Sequence, residues 1–249
     1  MTKTLVLYVF HLFNERVQYF IDNCIFYDEK VDFIMICNNK TTEYTVPSYV
    51  KKVARENIGY DFGGWSEGLL KDDLYKNYDH FIFVNSSVIG PFLPSYFKGK
   101  WTDVYIEPLR GKMKLFGTTI NTMGKPLDKS HVQSYIFSMN IETLEFLIHH
   151  GIFSIKNFTV DLYDTVLHRE IMMSRIIRNN GWNIGSLLPY YEGVDFTFKT
   201  KKPDDYKKPF LDDIMYDRYR NVLWNDYDLV FVKGNRITLD LEKLKDKHI

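Results

Sequence analysis

Two short stretches hold the residue types that could do chemistry. The first is Asn85-Ser86-Ser87, which follows the apolar run Phe81-Ile82-Phe83-Val84 and precedes Gly90-Pro91 and Pro94. A run of large apolar residues without polar alternation is the pattern of a strand buried on both faces, as in a parallel sheet. The glycine and prolines that follow bar a regular helix or central strand. Polar residues just past the C-terminal end of such a strand are where open α/β sheets bind ligands. The stretch reads either as a ligand site or as a polar turn that only ends the strand. The second stretch is Arg55 to Leu70, RENIGYDFGGWSEGLL. Gly59 and the pair Gly63-Gly64 allow backbone shapes and close approaches closed to other residues. Asn57 and Asp61 offer side-chain hydrogen bonds within the turn. The spacing is not the dinucleotide fingerprint and no phosphate-loop lysine follows. Such a loop, taken alone, is more often structural than ligand-binding.

The elements that must position these residues are legible as periodicities. Thr4 to Phe10 and Val31 to Cys37 are buried strands, with Val50 to Ala54 a short third strand. Glu15 to Tyr27 is an amphipathic helix with Asn14 as its N-cap, since Val17, Phe20, Ile21, Cys24 and Ile25 recur at helical spacing. Strand, helix and strand with buried runs imply a right-handed parallel unit. Trp65 to Tyr75 reads as a helix, and Lys114 to Asn121 as a strand. Met123 to Lys129 is a polar turn. His131 to Met139 alternates as a strand with His131, Gln133, Tyr135 and Phe137 on one face. Ile141 to His150 and Asp164 to Asn180 are helices closed by Gly151 and Gly181, and Trp182 to Leu188 leads into a strand. Asp228 to Arg236 is a last strand and turn, and Leu239 to Lys247 a charged helix or tail.

Composition excludes some functions. The chain has 249 residues, 45% of them hydrophobic, with Lys+Arg and Asp+Glu both 32. The zero net charge supplies no field to attract nucleic acid. Aromatics reach 16%, and tyrosine-rich loops suit flat, partly apolar ligands such as sugar rings. Cys24 and Cys37 form neither a metal spacing nor a disulfide framework, which fits a reducing compartment. No apolar run approaches the ~20 residues of a membrane helix. The expectation is a soluble, unprocessed, cytoplasmic protein, with peripheral membrane contact and oligomeric state left open. No repeat, linker or composition break divides the chain, so a single domain over 1–249 is expected.

Several stretches in order carry a resemblance. ENIGYDFGGW, then YDHFIFVNSSVIGPFLP, KLFGTTINT, HVQSYIFSMN, HREIMMSRIIRNNGW and LVFVKGNR together resemble glycosyltransferases of the GT-A fold. The nearest group is the rhamnan-synthesis-protein-F-like enzymes and related polysaccharide enzymes. The resemblance covers most of the chain. It implies an α/β, GT-A-like (Rossmann-like) fold, with a mainly parallel central sheet flanked by helices. Residues of about 1–100 would form a nucleotide-sugar-binding half and about 101–249 an acceptor-side half. The implied function is transfer of a sugar from a nucleotide-sugar donor (UDP-, GDP- or dTDP-sugar) to a glycan or glycoconjugate in polysaccharide biosynthesis. The alternative is a non-catalytic sugar-binding or scaffold module of the same fold.

The resemblance also distributes roles. It makes Phe10, His11, Asn38, Asn57, Gly59 and Asp61 base and ribose contacts, Asp61 foremost because a carboxylate accepts from a ribose hydroxyl. Asn85-Ser86-Ser87 stands where these enzymes usually carry Asp-x-Asp to hold Mn²⁺ or Mg²⁺ on the diphosphate. Hard cations prefer carboxylates, so a metal is weakly held there, held from elsewhere, or absent. Lys233 and Arg236 could instead neutralise the leaving diphosphate. Glu170 is the implied residue for acid–base or sugar-binding work near the acceptor; an inverting transfer needs such a base, and a retaining one does not use it in the same way. His131 is its rival for catalysis, and Gln133 shares with His131 a possible contact to donor sugar or acceptor. His168 and Asp164 flank Glu170 on the helix.

Overall fold

Thr4–Phe10 forms strand β1 with every residue buried, because each face of it meets a separate apolar layer. The protein is described by a computed structural model covering residues 2–122, 129–208, 210, 218–219, 222–223 and 226–235. Helix α1 (Glu15–Cys24) follows, capped by the Asn14 side chain, which accepts from the Arg16 and Val17 amides. Next come β2 (Val31–Cys37), β3 (Lys51–Ala54), α2 (Tyr60–Leu70) with a 3-10 turn at Lys71–Asn77, β4 (His80–Asn85), β5 (Val88–Ile89) and α3 (Trp101–Ile106). The chain continues through β6 (Met113–Gly117), β7 (Ile120–Asn121), β8 (His131–Val132), β9 (Ile136–Asn140) and α4 (Ile141–His149). A helical run of α5 (Leu162–Thr165), a π-helical segment (Val166–Ile171) and α6 (Met172–Asn179) leads to β10 (Asn183–Ser186). Short β11 (Arg218–Tyr219), β12 (Val222–Leu223), α7 (Asp226–Leu229) and β13 (Val232–Lys233) close the described chain.

The seven-stranded sheet has the order β10-β6-β9-β4-β1-β2-β3. Within it β1 runs parallel to β2 and β4, β2 to β3, and β6 to β10; β9 alone is antiparallel to its neighbours β4 and β6. The sheet is therefore mainly parallel, and helices cover both faces. On one face Leu5, Leu7, Val9, Phe81 and Phe83 pack with Phe62, Trp65 and Leu69 of α2 and Met173 and Ile177 of α6. On the other, Val6, Tyr8, Phe10, Ile82 and Val84 pack with Val17, Phe20 and Cys24 of α1 and Trp101 and Tyr105 of α3. Alternation along buried strands thus feeds two cores at once. Among the described residues no helix is long and apolar enough to cross a membrane.

The structure corrects three expected elements. His131 to Met139 is not one strand, and its alternate residues do not share a face. Ser134 and Tyr135 form a turn between β8 and β9, and Phe137 and Tyr135 lie in opposite cores. The reason is competition for the backbone: Val132 N–H donates to Ser174 Oγ at 3.1 Å, and Ser134 N–H to Glu170 Oε1 at 2.8 Å. The expected strand Lys114 to Asn121 likewise divides, because Ile120–Asn121 leaves the main sheet to pair with β8. The helix expected from Trp65 begins earlier, at Tyr60, behind a left-handed Gly59 with φ 71°. The turn expected at Met123 to Lys129, apart from Lys129 itself, and the tail expected at Leu239 to Lys247 lie outside the described residues.

Candidate active site

Strand order reverses between β1 and β4. β1 connects outward to β2 on one side, whereas the chain returns to β4 on the other. At such a switch point two consecutive connections lie on opposite faces and leave a crevice beyond the strand ends. Val9 pairs with Asn85 across it, so His11 to Arg16 and Asn85 to Ser87 emerge side by side. The Asn85 backbone N–H donates to the Tyr135 carbonyl at 3.0 Å, and its side-chain Oδ1 accepts from the Ser87 amide at 3.0 Å and hydroxyl at 2.5 Å. The 85–87 turn is thereby self-bonded and fixed to the sheet.

Asn85 Nδ2 donates to Asp61 Oδ2 at 3.0 Å. This bond joins the two polar stretches, 24 residues apart in sequence, into one site. Asp61 occupies the first turn of α2, where the helix dipole favours a negative charge. It keeps a solvent-facing edge, yet its carboxyl group is pushed up from 3.8 to about 6. Burial is the main cause; the Asn85 hydrogen bond opposes it, the negative charge of Glu170 adds to it and the positive charge of Lys233 opposes it. The 134–135 turn ties the group together: Ser134 N–H bonds Glu170, the Tyr135 carbonyl takes the Asn85 N–H, and the Tyr135 ring lies near Lys233, so both charges reach Asp61. Lys233 arrives there because β13 pairs with β5, placing Lys233 opposite Val88, and its Nζ lies 5.8 Å from the Tyr135 ring centre.

Glu170 projects from the π-helical segment between α5 and α6; such local widening re-aims side chains and recurs at functional sites. Its Oε1 accepts from Ser134 N–H at 2.8 Å and lies 3.9 Å from His131 Nε2. The Glu170 side chain is 15% exposed and that of His131 4%. His131 Nδ1 lies 2.7 Å from the Lys129 carbonyl. A carbonyl only accepts, so Nδ1 carries a hydrogen, and the ring's other nitrogen faces the Glu170 carboxylate. Gln133 Oε1 accepts from Thr119 Oγ1 at 2.6 Å, and Thr119 also bonds the Tyr135 hydroxyl at 2.8 Å. Two carboxylates, a histidine, a lysine and a hydrogen-bonding amide around one crevice can hold a polyol, stabilise an anion and accept a proton. The turn itself does not fit a hard divalent cation: one carboxylate, already bonded to Asn85, faces it beside the Lys233 charge. Among the described residues no group of three or more His, Cys, Asp or Glu is placed to hold a metal.

The sequence matches the rhamnan synthesis protein F family over residues 33–215. The chain belongs to that family. It is similar to the virulence protein VirA of Vibrio anguillarum, in two sequences, each 30% identical over 128 residues that cover 45% of this chain and 37% of VirA. The match thus spans well under half the length of those relatives. Among solved structures, the bifunctional glycosyltransferase WbbM in its apo form covers 84% of this chain and 45% of WbbM at 11% identity, with a TM-score of 0.39. A cytidylyltransferase from Leptospira borgpetersenii covers 74% of each chain at 11% identity, with a TM-score of 0.37. The protein A197 from STIV covers 68% of this chain and 79% of A197 at 12% identity, with a TM-score of 0.34.

In this rhamnan synthesis protein F family member the expected site residues separate into two groups. Asp61, Asn85, Ser86, Ser87, Lys233 and Glu170 gather around the crevice, with buried His131 behind Glu170 and buried Gln133 engaged by Thr119. Phe10, His11, Asn38, Asn57 and Gly59 line its neighbouring edge, and most of their bonding is internal. The Phe10 ring is buried against Phe13 and Tyr44. Exposed His11 meets the Asn38 carbonyl through Nδ1 at 2.9 Å. Asn38 Nδ2 donates to Asn57 Oδ1 at 3.1 Å and the Tyr60 carbonyl at 3.2 Å, while its Oδ1 accepts from Arg55 Nη1 at 2.8 Å. Asn38 therefore pins the loop with all its polar atoms engaged. A Cβ on Gly59 would lie 2.7 Å from Phe158 Cδ1, so packing alone demands glycine there. His168 and Asp164 face each other at 3.6 Å, and His168 is exposed. Arg236 lies outside the described residues.

Sequence reasoning missed Arg55 and Arg16. Arg55 is buried, donates to Asn38 and to the Ile58 carbonyl at 2.6 Å, and forms an ion pair with Glu67 at 2.9 Å, holding the 55–61 loop in shape. Its position directly before the glycine-rich stretch was the available signal. Arg16 has no comparable signal, because its partner Ser86 is 70 residues away.

Proposed function

We propose that the chain is a GT-A-like glycosyltransferase domain that moves a sugar from a nucleotide-sugar donor to a glycan or glycoconjugate acceptor in polysaccharide biosynthesis. One observation carries this reading: Asp61, Asn85, Glu170 and Lys233, from four separate segments, converge at the switch point of the sheet in a member of a family described by rhamnan synthesis. In this reading Asp61 accepts hydrogen bonds from the donor's ribose or sugar hydroxyls. The 85–87 turn faces the diphosphate with neutral donors, and Lys233 supplies positive charge to the leaving group. Glu170, held by Ser134 N–H, accepts the acceptor proton, and His131 and Gln133 border the sugar.

The test is a thermal-shift and calorimetric panel of UDP-, GDP- and dTDP-sugars, with and without Mn²⁺, on the wild type and Asp61→Ala. At least one donor is expected to bind the wild type. Asp61→Ala is expected to weaken it by about 1.5–3 kcal/mol, the range of a hydrogen bond to a charged group, with unchanged far-ultraviolet dichroism. Binding of none of the donors would overturn the reading.

A further inference from the structure

Arg16 sits in the first turn of α1, directly above the C-terminal end of β1. Its Nε donates to the Ser86 carbonyl at 3.0 Å. Its Cδ lies 3.3 Å from the point where a Cβ on Gly234 would stand, so its stem is pressed against the residue that follows Lys233. The 85–87 turn is thus held between two cations from opposite ends of the chain. Beneath it, the Tyr8 hydroxyl is buried without a hydrogen-bond partner among the described residues, and the charges of both Arg16 and Asp61 reach it. Through the 85–87 turn, bonded to Arg16 at Ser86 and to Asp61 at Asn85, Arg16 belongs to the same polar cluster as Asp61. A guanidinium has five N–H donors in a planar fork. Nε is the guanidinium nitrogen that the described residues engage, which leaves the four hydrogens of Nη1 and Nη2 for a ligand.

We propose that Arg16 binds the diphosphate of the donor, acting with Lys233 as a pair of fixed cations across the 85–87 turn. This rests on the glycosyltransferase reading for its substrate but not for its chemistry, which is recognition of a diphosphate. In the transfer, the bond between the anomeric carbon and the diphosphate oxygen breaks and its electron pair leaves on that oxygen. The acceptor oxygen forms the new bond to the anomeric carbon and gives its proton to Glu170. The nucleoside diphosphate departs with one more negative charge than it carried in the donor. Arginine forks bind phosphate oxygens in pairs, and fixed cations aimed at developing charge need no reorganisation as it appears.

Isothermal titration of inorganic pyrophosphate, of UDP, GDP and dTDP, and of the matching nucleosides tests this on the wild type, Arg16→Ala, Arg16→Gln and Arg16→Lys. The wild type is expected to bind pyrophosphate, and at least one nucleoside diphosphate more tightly than its nucleoside. Arg16→Ala should weaken both anions about 10- to 100-fold, the scale of a charge-assisted hydrogen-bond pair, and leave the nucleoside unchanged. Arg16→Gln keeps a donor for the Ser86 carbonyl without the charge, so it should show the same loss even if Arg16→Ala fails to fold, and Arg16→Lys should fall between. Wild-type anion affinity in Arg16→Gln would overturn the assignment of Arg16 while donor-sugar binding stands. Pyrophosphate binding lost in Arg16→Gln, in a protein that binds no sugar nucleotide, would support the clamp and overturn the proposed function. A wild type that binds neither pyrophosphate nor any nucleoside diphosphate would overturn both.

Discussion

Asp61 holds its proton more tightly in the folded protein than in the unfolded chain, because burial and Glu170 raise its carboxyl from 3.8 to about 6. Its ionisation therefore opposes folding. The stability linked to the protonated form is complete below pH 4 and is lost as pH rises through 6. Asp61→Asn keeps an acceptor for Asn85 Nδ2 and removes the titration. We expect it to exceed the wild type in stability by about 1–3 kcal/mol at pH 7.5, and to match it at pH 3.5. Urea unfolding at the two pH values measures this; an identical gap at both would detach the effect from ionisation. Glu170→Gln separates chemistry from support in the same manner, since glutamine still accepts from Ser134 N–H. If Glu170 takes the acceptor proton, turnover should fall about 10²- to 10⁴-fold with donor affinity near wild type, as read by single-turnover kinetics beside calorimetry. Unchanged turnover would move the role to His131 or to no base.

At the scale of elements, the glycines of α2 are packing devices. A Cβ on Gly64 would lie 2.7 Å from Val9 Cγ2, and one on Gly68 2.8 Å from Ile36 Cδ1, so α2 lies close on β1 and β2 through a stripe without side chains. At Gly63 a Cβ would meet the Ile58 carbonyl at 2.1 Å, an atom of the backbone that cannot swing aside. Gly63→Ala should cost about 1–3 kcal/mol, the usual range for overpacking, seen as a lower urea midpoint. A midpoint equal to wild type would show that the loop yields. The same glycines explain what the sequence could and could not disclose. Buried runs such as Phe81 to Val84 revealed their strands, because burial on both faces leaves one composition. The polar turn at Asn85 was legible as the end of one of those runs, whereas the switch point depends on the strand order, which distant pairings such as that of β1 with β4 decide. Gly63-Gly64 looked like loop chemistry because a glycine that lets a helix touch a sheet has the same letter as one that turns a chain. The break at Ser134 was hidden since its cause, the Glu170 carboxylate, lies 36 residues away.

At the scale of the molecule, the two halves expected from sequence share one sheet. β9 is inserted between β4 of the first half and β6, so the nucleotide-side strands have their hydrogen bonds completed by the acceptor-side segment. The end of the described chain returns to the beginning as well. Phe231 is fully buried, with its ring 5.1 Å from Trp101 and 6.2 Å from Tyr105, in the core that also holds Tyr8, Phe20 and Val84. We propose that 1–249 unfolds as one cooperative unit, since neither half can lose its contacts without exposing the core of the other. Phe231→Ala should then cost about 3–5 kcal/mol, as large aromatic deletions do. It should shift a single transition, with tryptophan fluorescence and far-ultraviolet dichroism still coincident. Trp65 lies in the opposite core, beneath α2, and so reports a region that Phe231 does not touch. If the halves were independent, the substitution would split the unfolding curve and leave the signal from around Trp65 at its wild-type midpoint. Coincident curves would mean that Lys233, carried two residues beyond Phe231, is held at the crevice by the stability of the whole sheet.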